Sequence, residues 1–481
     1  MDSLSASSSP SVRWDARLWG ALIVLCGVIF LDALDVSMVG VALPSIRSDL
    51  GLSTSELQWV VSGYVLAYGG LLLLGGRTAD LLGRRKTLLI ALGAFVVAST
   101  LGGLVSDGTL LVVARFLKGA SAAFTAPAAL SIITTTFPEG PARNRALSIF
   151  TTVGASGFSL GLVLGGLLTE IGWRWTFLLA APVALALLVV GPRFIPADRG
   201  VAGGRHEFDV PGAITVTAGM LALVHTVVQA PSEGWGSGAT VGGFAGAVAL
   251  LALFVAIERR ARHPLVRFGI LRSGPLVRAN VGAMALFGSY VGFQFIGTLY
   301  MQSLLHWSAL VTALAFLPAG VIVALGSTRV AALVGRFGTP LLVAVGFTSL
   351  AIGYALFLRV DDTPVYAAVI LPTMLLLGIG FALVFPSLNI QATAGVADHE
   401  QGLAGGLLNT SFQLGGAVVL AIVTAVVTSQ AGANGTPSQV LDAFRPGLAV
   451  ATGVAGLGLA VALSGLLLRE RHAQPAAAAE G

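Results

Sequence analysis

The chain has 481 residues, of which 56% are hydrophobic and 10% are charged, whereas soluble globular proteins carry roughly 25% charged residues. This composition excludes an ordinary soluble enzyme. The 62 glycines and a mean hydropathy of +0.90 indicate apolar segments rich in small residues rather than polar disorder. The net charge of +5 comes from basic residues in short clusters between apolar runs, so we expect no nucleic-acid partner.

Fourteen apolar stretches are each long enough to cross the hydrocarbon core as a helix, which pairs its backbone groups within one segment. In chain order they lie near residues 17–43, 57–76, 87–106, 108–135, 145–169, 174–195, 210–231, 239–258, 279–304, 309–334, 340–358, 365–390, 402–430 and 446–468. The Lys and Arg residues agree with this count, because a cytoplasmic start places 21 of them on the cytoplasmic side and 4 on the other. We therefore expect a multi-pass protein of the cytoplasmic membrane, surrounded by the lipid bilayer, with both termini in the cytoplasm.

Four ionisable side chains lie within predicted spans. The first span contains Asp32 and Asp35, and the fourth contains Arg115 and Lys118. Each such group costs at least ~2.5–3.5 kcal/mol at membrane depth unless it is paired or enclosed in protein. Because a spacing of three keeps each pair on one helix face, we predict an aspartate of the first span within roughly 6 Å of Arg115 or Lys118. Two interpretations stay open: a salt bridge that only fixes helix packing, or a proton or substrate site.

The first span also carries a recognisable motif. Residues 34–44 read Leu-Asp-Val-Ser-Met-Val-Gly-Val-Ala-Leu-Pro. This segment resembles the first-span signature of the fourteen-span drug:proton antiporters of the major facilitator superfamily. That signature usually has Thr where Ser37 stands and Asn where Gly40 stands, and Asp32 is an additional acid.

The connection after the second span, Gly76 to Lys86, is similar to the most diagnostic loop of the same superfamily, a tight glycine turn with an acid and a basic cluster. A glycine there permits a sharp turn, and the basic cluster holds the loop at the cytoplasmic face. The resemblance implies contacts between the two halves of the protein that form in one conformation and break in the other. The residues expected to act in this loop are Gly76, Asp80, Gly83, Arg84 and Arg85.

Two later motifs extend the resemblance. The segment 115–119 resembles the buried-arginine motif that the family ties to proton transfer, with Lys118 in place of the usual Gln. The fifth span has the glycine spacing of the antiporter motif, although a proline is expected at Leu162. Glycines at this spacing let a neighbouring helix approach closely in any transporter. The glycines expected to act in helix packing are Gly157, Gly161, Gly165 and Gly166.

The resemblance implies an all-α membrane protein with the major facilitator fold, in which two six-helix bundles and two inserted helices make fourteen transmembrane helices. We predict an N-terminal bundle over residues 1–195, a linker with the two inserted helices over 196–278, and a C-terminal bundle with a cytoplasmic tail over 279–481. A weak internal similarity supports a repeat. The segment Val334 to Pro340 follows the tenth span in the same way that the glycine-rich loop follows the second span. We expect the chain to act as a monomer.

The function that the resemblance implies is proton-coupled export of amphipathic small molecules, such as drugs and antibiotics, by alternating access. Proton coupling is expected to depend on Asp32, Asp35, Arg115 and Lys118. With both acids ionised the charges of this site sum to zero, and with one protonated they sum to +1, so proton entry disfavours a cationic substrate. Binding of a proton and binding of a cationic substrate are therefore expected to alternate, as in an exchanger.

The substrate cavity is expected to use other polar and aromatic positions within the bundles. The second bundle has no ionised side chain deep within its spans, which favours large, weakly polar compounds over multivalent cations. Each position is also compatible with ordinary helix packing. The predicted cavity residues are Tyr64, Tyr68, Phe293, Gln294, Asn389, Asn409 and Gln413.

Other functions remain to be weighed. A proton-coupled importer or exporter of one specific metabolite is the nearest alternative, because the fold does not set the direction of coupling. A primary pump would need a phosphate-binding G-x-x-x-x-G-K-[ST] loop, which the sequence lacks. The six scattered histidines argue against an enzyme, and we expect no metal or cofactor.

Overall fold

The computed structural model describes residues 14–138, 141–197, 210–261, 268–326, 329–394, 396, 401–430 and 437–477. Within these ranges every regular element is helical. The first group of helices is α1 (Ala16–Leu50), α2 (Thr54–Leu82), α3 (Arg84–Leu104), α4 (Gly108–Thr136), α5 (Pro141–Ile171), α6 (Trp175–Leu178) and α7 (Ala180–Phe194). Two helices follow, α8 (Val210–Glu233) and α9 (Gly238–Glu258). The last group is α10 (Gly274–Leu299), α11 (Ala309–Gly326), α12 (Val330–Phe337), α13 (Thr339–Phe357), α14 (Leu371–Thr393), α15 (Gln401–Gln430) and α16 (Pro437–Ala477).

The predicted membrane spans fall on these helices. Thirteen segments of the described residues are long and apolar enough to cross a membrane. The remaining predicted span, 57–76, lies inside α2. The prediction of an all-α membrane protein is confirmed, because the period and length of the apolar runs alone specify helices in lipid.

Local sequence signals set several helix ends. The side chain of Asp15 accepts a hydrogen bond of 2.8 Å from the backbone N–H of Leu18, which caps the start of α1. The same helix ends at Gly51, whose φ of 64° places it in the left-handed region that glycine adopts without strain. At the start of α2, Ser53 and Glu56 form a reciprocal capping box.

One predicted span covers more than one helix of the structure. The sequence predicts a continuous helix over 309–334, whereas the described part of α11 runs to Gly326, residues 327–328 lie outside the described residues, and the short helix α12 begins at Val330. The predicted span therefore corresponds to one spanning helix and the start of a short one.

The helices form two bundles, and the pair α8 and α9 lies between these bundles in chain order. In the first bundle, α1–α7, α1 packs against α5 and α2 packs against α4. In the second bundle, α10–α16, α10 packs against α15 and α16, and α13 packs against α14. The inserted helices α8 and α9 pack against each other, and α8 also contacts α2 and α15. The two bundles meet through α2 with α15, α5 with α11, and the C-terminal part of α1 with α10.

The glycine motif of α5 sets how closely α1 can approach. A Cβ at Gly157 would lie 2.6 Å from the carbonyl oxygen of Phe30, and one at Gly165 would lie 2.7 Å from the Cα of Met38. Gly161 is equally close to the backbone of Leu34. The neighbouring Gly166 faces the other bundle instead, where a Cβ would lie 2.9 Å from the Cα of Leu310 on α11. The close contacts at these three glycines, Gly157, Gly161 and Gly165, therefore determine which face of α1 packs against the rest of the first bundle.

Replacing Gly161 by Ala is expected to destabilise the protein, because the new methyl group would overlap with Leu34 and Ser37 on α1. Overpacking of this kind costs about 1–3 kcal/mol. The matched control is Gly456→Ala in α16, where a Cβ would meet no atom within 4 Å. That substitution is expected to be neutral or stabilising by up to ~1 kcal/mol, since Ala favours a helix over Gly. Thermal unfolding of the two variants in the same detergent checks the difference, and equal midpoints would contradict it.

Two turn glycines link consecutive helices at equivalent places in the two bundles. Gly83 joins α2 to α3 with a φ of 101°, and Gly338 joins α12 to α13 with a φ of 80°. Both values lie in a region that side chains disfavour. Gly338 lies within the segment Val334 to Pro340 that the sequence places in the position equivalent to the glycine-rich loop.

Candidate functional site

The buried charges meet on the face of α1 that α5 leaves free. Arg115 donates from Nη1 to Oδ2 of Asp35 at 2.5 Å, and Lys118 donates from Nζ to Oδ1 of the same carboxylate. The three side chains are at most 2% exposed. Arg115 and Lys118 lie three residues apart on α4, so both can reach one carboxylate on the facing helix. Asp35 is therefore held by two cations.

Asp32 lies one turn away from Asp35 and has a different partner. The hydroxyl of Thr125 on α4 donates to Oδ2 of Asp32 at 3.0 Å. Asp32 is 5% exposed, and no ion pair to it is found among the described residues. The two acids of α1 are thus buried alike but stabilised differently.

Aromatic rings and a backbone carbonyl complete the surroundings. The guanidinium of Arg115 lies 4.6 Å from the ring centre of Tyr64, and its Nε donates to the carbonyl oxygen of Val60 at 2.9 Å. The ammonium of Lys118 lies 4.7 Å from the ring centre of Phe95 and 5.0 Å from that of Phe177. Such rings attract cations while excluding water. We call Asp32, Asp35, Arg115, Lys118 and Thr125 the charged chamber.

The predicted proximity of the charged groups is confirmed, since an aspartate of α1 contacts both cations of α4. The arrangement differs in one respect from a simple pairing of two acids with two bases. Asp35 takes both cations, and Asp32 takes none. A role of these groups in proton coupling stays a prediction.

Four of the seven predicted cavity residues, Tyr64, Tyr68, Gln294 and Gln413, lie near the charged chamber or where the bundles contact each other. Tyr64 adjoins Arg115 and contacts the ring of Tyr68 at 5.9 Å. A Cβ at Gly40 of α1 would lie 2.9 Å from Nε2 of Gln294 on α10, so the glycine makes room for this amide. A Cβ at Gly69 of α2 would lie 3.0 Å from the Cβ of Gln413 on α15.

The other three predicted cavity residues are two asparagines and one phenylalanine. Asn389 donates to the carbonyl oxygen of Phe385 at 2.8 Å, and the exposed Asn409 donates to that of Gly405 at 3.0 Å. Phe293 lies elsewhere. It is fully buried within the second bundle, with the ring centres of Phe357 and Tyr354 at 5.0 and 5.1 Å. Its placement differs from the expectation, because a helix that is apolar on every side gives no sign of which face meets the cavity.

The glycine-rich loop is described in part. Gly83 makes the expected sharp turn. Arg85 donates from Nη2 to the carbonyl oxygen of Pro192 at 2.8 Å, which ties the start of α3 to the end of α7. Gly76 lies against Pro127 of α4, and Arg84 begins α3. The side chain of Asp80 lies outside the described residues, so the contacts expected between the halves stay a prediction.

Sequence reasoning missed a chain of aromatic rings between the bundles. On α14 the rings of Phe381 and Phe385 stack at 5.5 Å with an angle of 13°, and Phe385 in turn stacks on Phe412 of α15 at 5.1 Å. Phe381 contacts Tyr290 of α10, which contacts Phe158 of the first bundle at 5.9 Å. The spacing of four between Phe381 and Phe385 was the signal that could have indicated a shared face.

Comparison with known proteins decides the family. Residues 25–420 match the family model described as the Major Facilitator Superfamily. The chain belongs to the major facilitator superfamily. It is therefore a membrane transporter, and the fold implied by its motifs is confirmed.

Relatives in the superfamily align along most of the chain. A puromycin resistance protein of Streptomyces alboniger is 38% identical, with 95% of this chain and 92% of the relative aligned. A cephamycin export protein of Amycolatopsis lactamdurans is 36% identical, with 92% and 91% aligned. A tetracenomycin C resistance and export protein of Streptomyces glaucescens is 31% identical, with 88% and 78% aligned.

Solved structures agree on the fold. A POT family transporter in complex with a conjugated peptide has a TM-score of 0.67 at 14% identity, covering 94% of this chain and 96% of that one. The nucleoside transporter NupG has a TM-score of 0.64 at 13% identity, covering 92% and 99%. These similarities extend to the fold alone.

Proposed function

We propose that this major facilitator protein is a proton-coupled antiporter that exports amphipathic small molecules, antibiotics among them, across the cytoplasmic membrane. The observation that carries the proposal is the charged chamber, four ionisable groups enclosed at membrane depth. A purely structural ion pair could be replaced by apolar packing with little loss of stability, so four such groups favour a role in transport. The printed names of the relatives, which concern antibiotic resistance and export, support the substrate class.

Within the chamber we assign the exchanged proton to Asp32. Asp35 is held as an anion by two cations, whereas Asp32 has one neutral donor and a neighbouring negative charge. Asp32 can therefore gain or lose a proton without breaking an ion pair, whereas protonation of Asp35 would break two. The two departures from the family pattern also balance, because the additional acid Asp32 and the additional base Lys118 leave the chamber neutral when both acids are ionised.

Helix α1 links this proton site to the second bundle. Six residues beyond Asp35, the carbonyl oxygen of Val41 accepts a hydrogen bond of 2.9 Å from Nε2 of Gln302, just after α10. Gly40 lies against Gln294 of α10. A change of charge at Asp32 therefore acts on a helix that contacts both bundles. This coupling is the physical basis of alternating access in the proposal.

The same proposal includes the topology and the division of the chain. Both termini lie in the cytoplasm, as the basic residues favour, and the units are the bundle of residues 1–195, the linker with two inserted helices of 196–278 and the bundle of 279–481. The packing of α8 against α2 and α15 supports an inserted pair at the edge of the bundles. The protein works as a monomer in this scheme.

The experiment that tests the proposal uses the purified chain in proteoliposomes with an imposed pH gradient. Puromycin, a cephamycin and tetracenomycin C are added in turn, and their movement is followed together with internal pH. We expect at least one compound to move against its gradient while protons move the other way. Movement of compound and protons in the same direction would favour the alternative, an importer. Gradients unaffected by any compound would count against drug antiport.

A further inference from the structure

Helices α2 and α15 carry four buried polar side chains whose hydrogen bonds are incomplete. Gln58 and Ser62 of α2 are fully buried, and Thr424 and Gln413 of α15 are 1% and 9% exposed. Among the described residues no partner is found for the two amide atoms of Gln58, the hydroxyls of Ser62 and Thr424, or the amide oxygen of Gln413. We call these four residues the polar seam.

The members of the polar seam face each other across the contact between the bundles. A Cβ at Gly69 of α2 would lie 3.0 Å from the Cβ of Gln413, which defines one level of the contact. Gln58 precedes Gly69 by eleven residues, about three helical turns. Thr424 follows Gln413 by the same number. Because the second and thirteenth spans run in opposite directions, these equal steps place Gln58 opposite Thr424, with Ser62 one turn away on the same face.

Elsewhere the two bundles are joined by hydrogen bonds. The hydroxyl of Ser159 on α5 donates to the carbonyl oxygen of Gly320 on α11 at 2.9 Å. The backbone N–H of Leu310 on α11 donates to the carboxylate of Glu170, at the end of α5, at 3.2 Å. Within the described part of the chain, no hydrogen bond joins α2 to α15. The contact between the bundles therefore has a bonded side, α5 with α11, and an unbonded side, α2 with α15.

Buried polar atoms without partners destabilise the arrangement that encloses them, because they have given up hydrogen bonds to water. Such atoms are uncommon in folded proteins. A transporter of two bundles alternates between arrangements in which different parts of the contact between the bundles are open. When α2 separates from α15, water reaches the polar seam and the destabilisation is relieved. The four side chains therefore favour the open seam over the closed one.

An unpartnered group inside one bundle has no such effect. Ser99 of α3 is fully buried, and its hydroxyl also lacks a partner among the described residues. Helix α3 packs against α2, α4, α6 and α7, which all belong to the first bundle. The surroundings of Ser99 stay closed when the bundles move as units. Its hydroxyl lowers the stability of both arrangements alike.

From these observations we infer that the polar seam biases the protein toward opening along α2 and α15, while the bonded contact of α5 with α11 holds the bundles together. Gln58 and Thr424 are positioning residues in this inference, because they act on the equilibrium between the closed and the open seam. The inference requires a transporter of two bundles and does not depend on the proposed proton coupling.

The test measures how often the seam opens, through a cysteine at position 65. Val65 is 6% exposed and lies three residues beyond Ser62, on the seam face of α2. The full chain with Val65→Cys in lipid nanodiscs is treated with a charged, water-soluble methanethiosulfonate, which reaches residue 65 when the seam is open. The labelling rate therefore follows the open population. The chain without the added cysteine, whose one thiol is the buried Cys26, gives the background.

Gln58→Met keeps the length of the side chain and removes the unpartnered amide. We expect it to slow the labelling of residue 65 about tenfold, the effect of one buried, unpaired polar group on a population. Thr424→Val removes one hydroxyl at constant shape and is expected to slow labelling in the same way. Gln58→Glu encloses a charge in the closed seam and is expected to speed labelling.

The matched control is Ser99→Ala, which removes an unpartnered hydroxyl within the first bundle and is expected to leave the labelling rate unchanged. Equal labelling of Gln58→Met and its parent would overturn the inference, and so would equal slowing by Ser99→Ala. The measurement uses no substrate and no pH gradient. A failure of antiport in proteoliposomes would therefore remove the proposed function and leave the bias of the seam standing.

Discussion

An Asp32→Asn variant is expected to fold, to bind substrate and to lose concentrative transport. The amide keeps the hydrogen bond to Thr125 but cannot exchange a proton, so the chamber stays fixed at one net positive charge. One proton moving through 100 mV supplies about 2.3 kcal/mol, which sustains a concentration ratio of roughly fortyfold for an uncharged compound. We expect this ratio to fall to about one in proteoliposomes with an imposed potential.

Two measurements distinguish a loss of proton coupling from a loss of folding or substrate binding in this variant. Counterflow, in which external compound exchanges with internal compound without a proton gradient, is expected to persist in Asp32→Asn. The matched substitution Thr125→Val removes the neutral donor and leaves the carboxylate, so transport should stay coupled. A fortyfold gradient retained by Asp32→Asn would show that the proton travels elsewhere.

An Asp35→Asn variant is expected to fail more severely, through stability. Its carboxylate is the shared partner of Arg115 and Lys118, and its loss leaves two buried cations unpaired. Removing one partner of a buried pair costs about 3–5 kcal/mol. We expect a low yield of folded protein and a clear fall in the thermal unfolding midpoint.

The second substitution that should rescue this variant is Lys118→Gln. The double variant carries Asp32 and Arg115 as its remaining charges in the chamber, so the charges balance again. Its unfolding midpoint is expected to recover much of the loss, while Lys118→Gln alone, which leaves an excess acid, is expected to lower the midpoint. A double variant as unstable as Asp35→Asn would mean that charge balance does not govern the stability of the chamber.

The fold could be predicted from the sequence because few backbone structures satisfy their hydrogen bonds within lipid. Long apolar runs must be helices, and the basic residues between them support the count. The short helix α12 was harder to predict, since residues 309–334 read as one continuous apolar run. The position of the turn at Gly338 depends on where α12 stops, which local spacing does not specify.

The site could be predicted only as a set of residues. The spacing of three within two predicted spans indicated that Asp32, Asp35, Arg115 and Lys118 lie together, but the rotation of α1 against α4 decides which acid receives both cations. That rotation follows from the contacts of Gly157 and its companions with α1, a packing match between distant segments. The aromatic positions were harder still. Phe293 and Phe385 are alike in sequence context, yet one lies in a core and the other on an open face.

The most direct test of proton exchange at Asp32 is a count of protons released when substrate binds. Purified protein in weakly buffered detergent solution is titrated with a transported compound, and a pH indicator reports the release. The wild type is expected to release protons on binding at a pH where Asp32 is protonated, and Asp32→Asn is expected to release none while binding with similar affinity. Equal release by both proteins would contradict the assignment of the exchanged proton to Asp32.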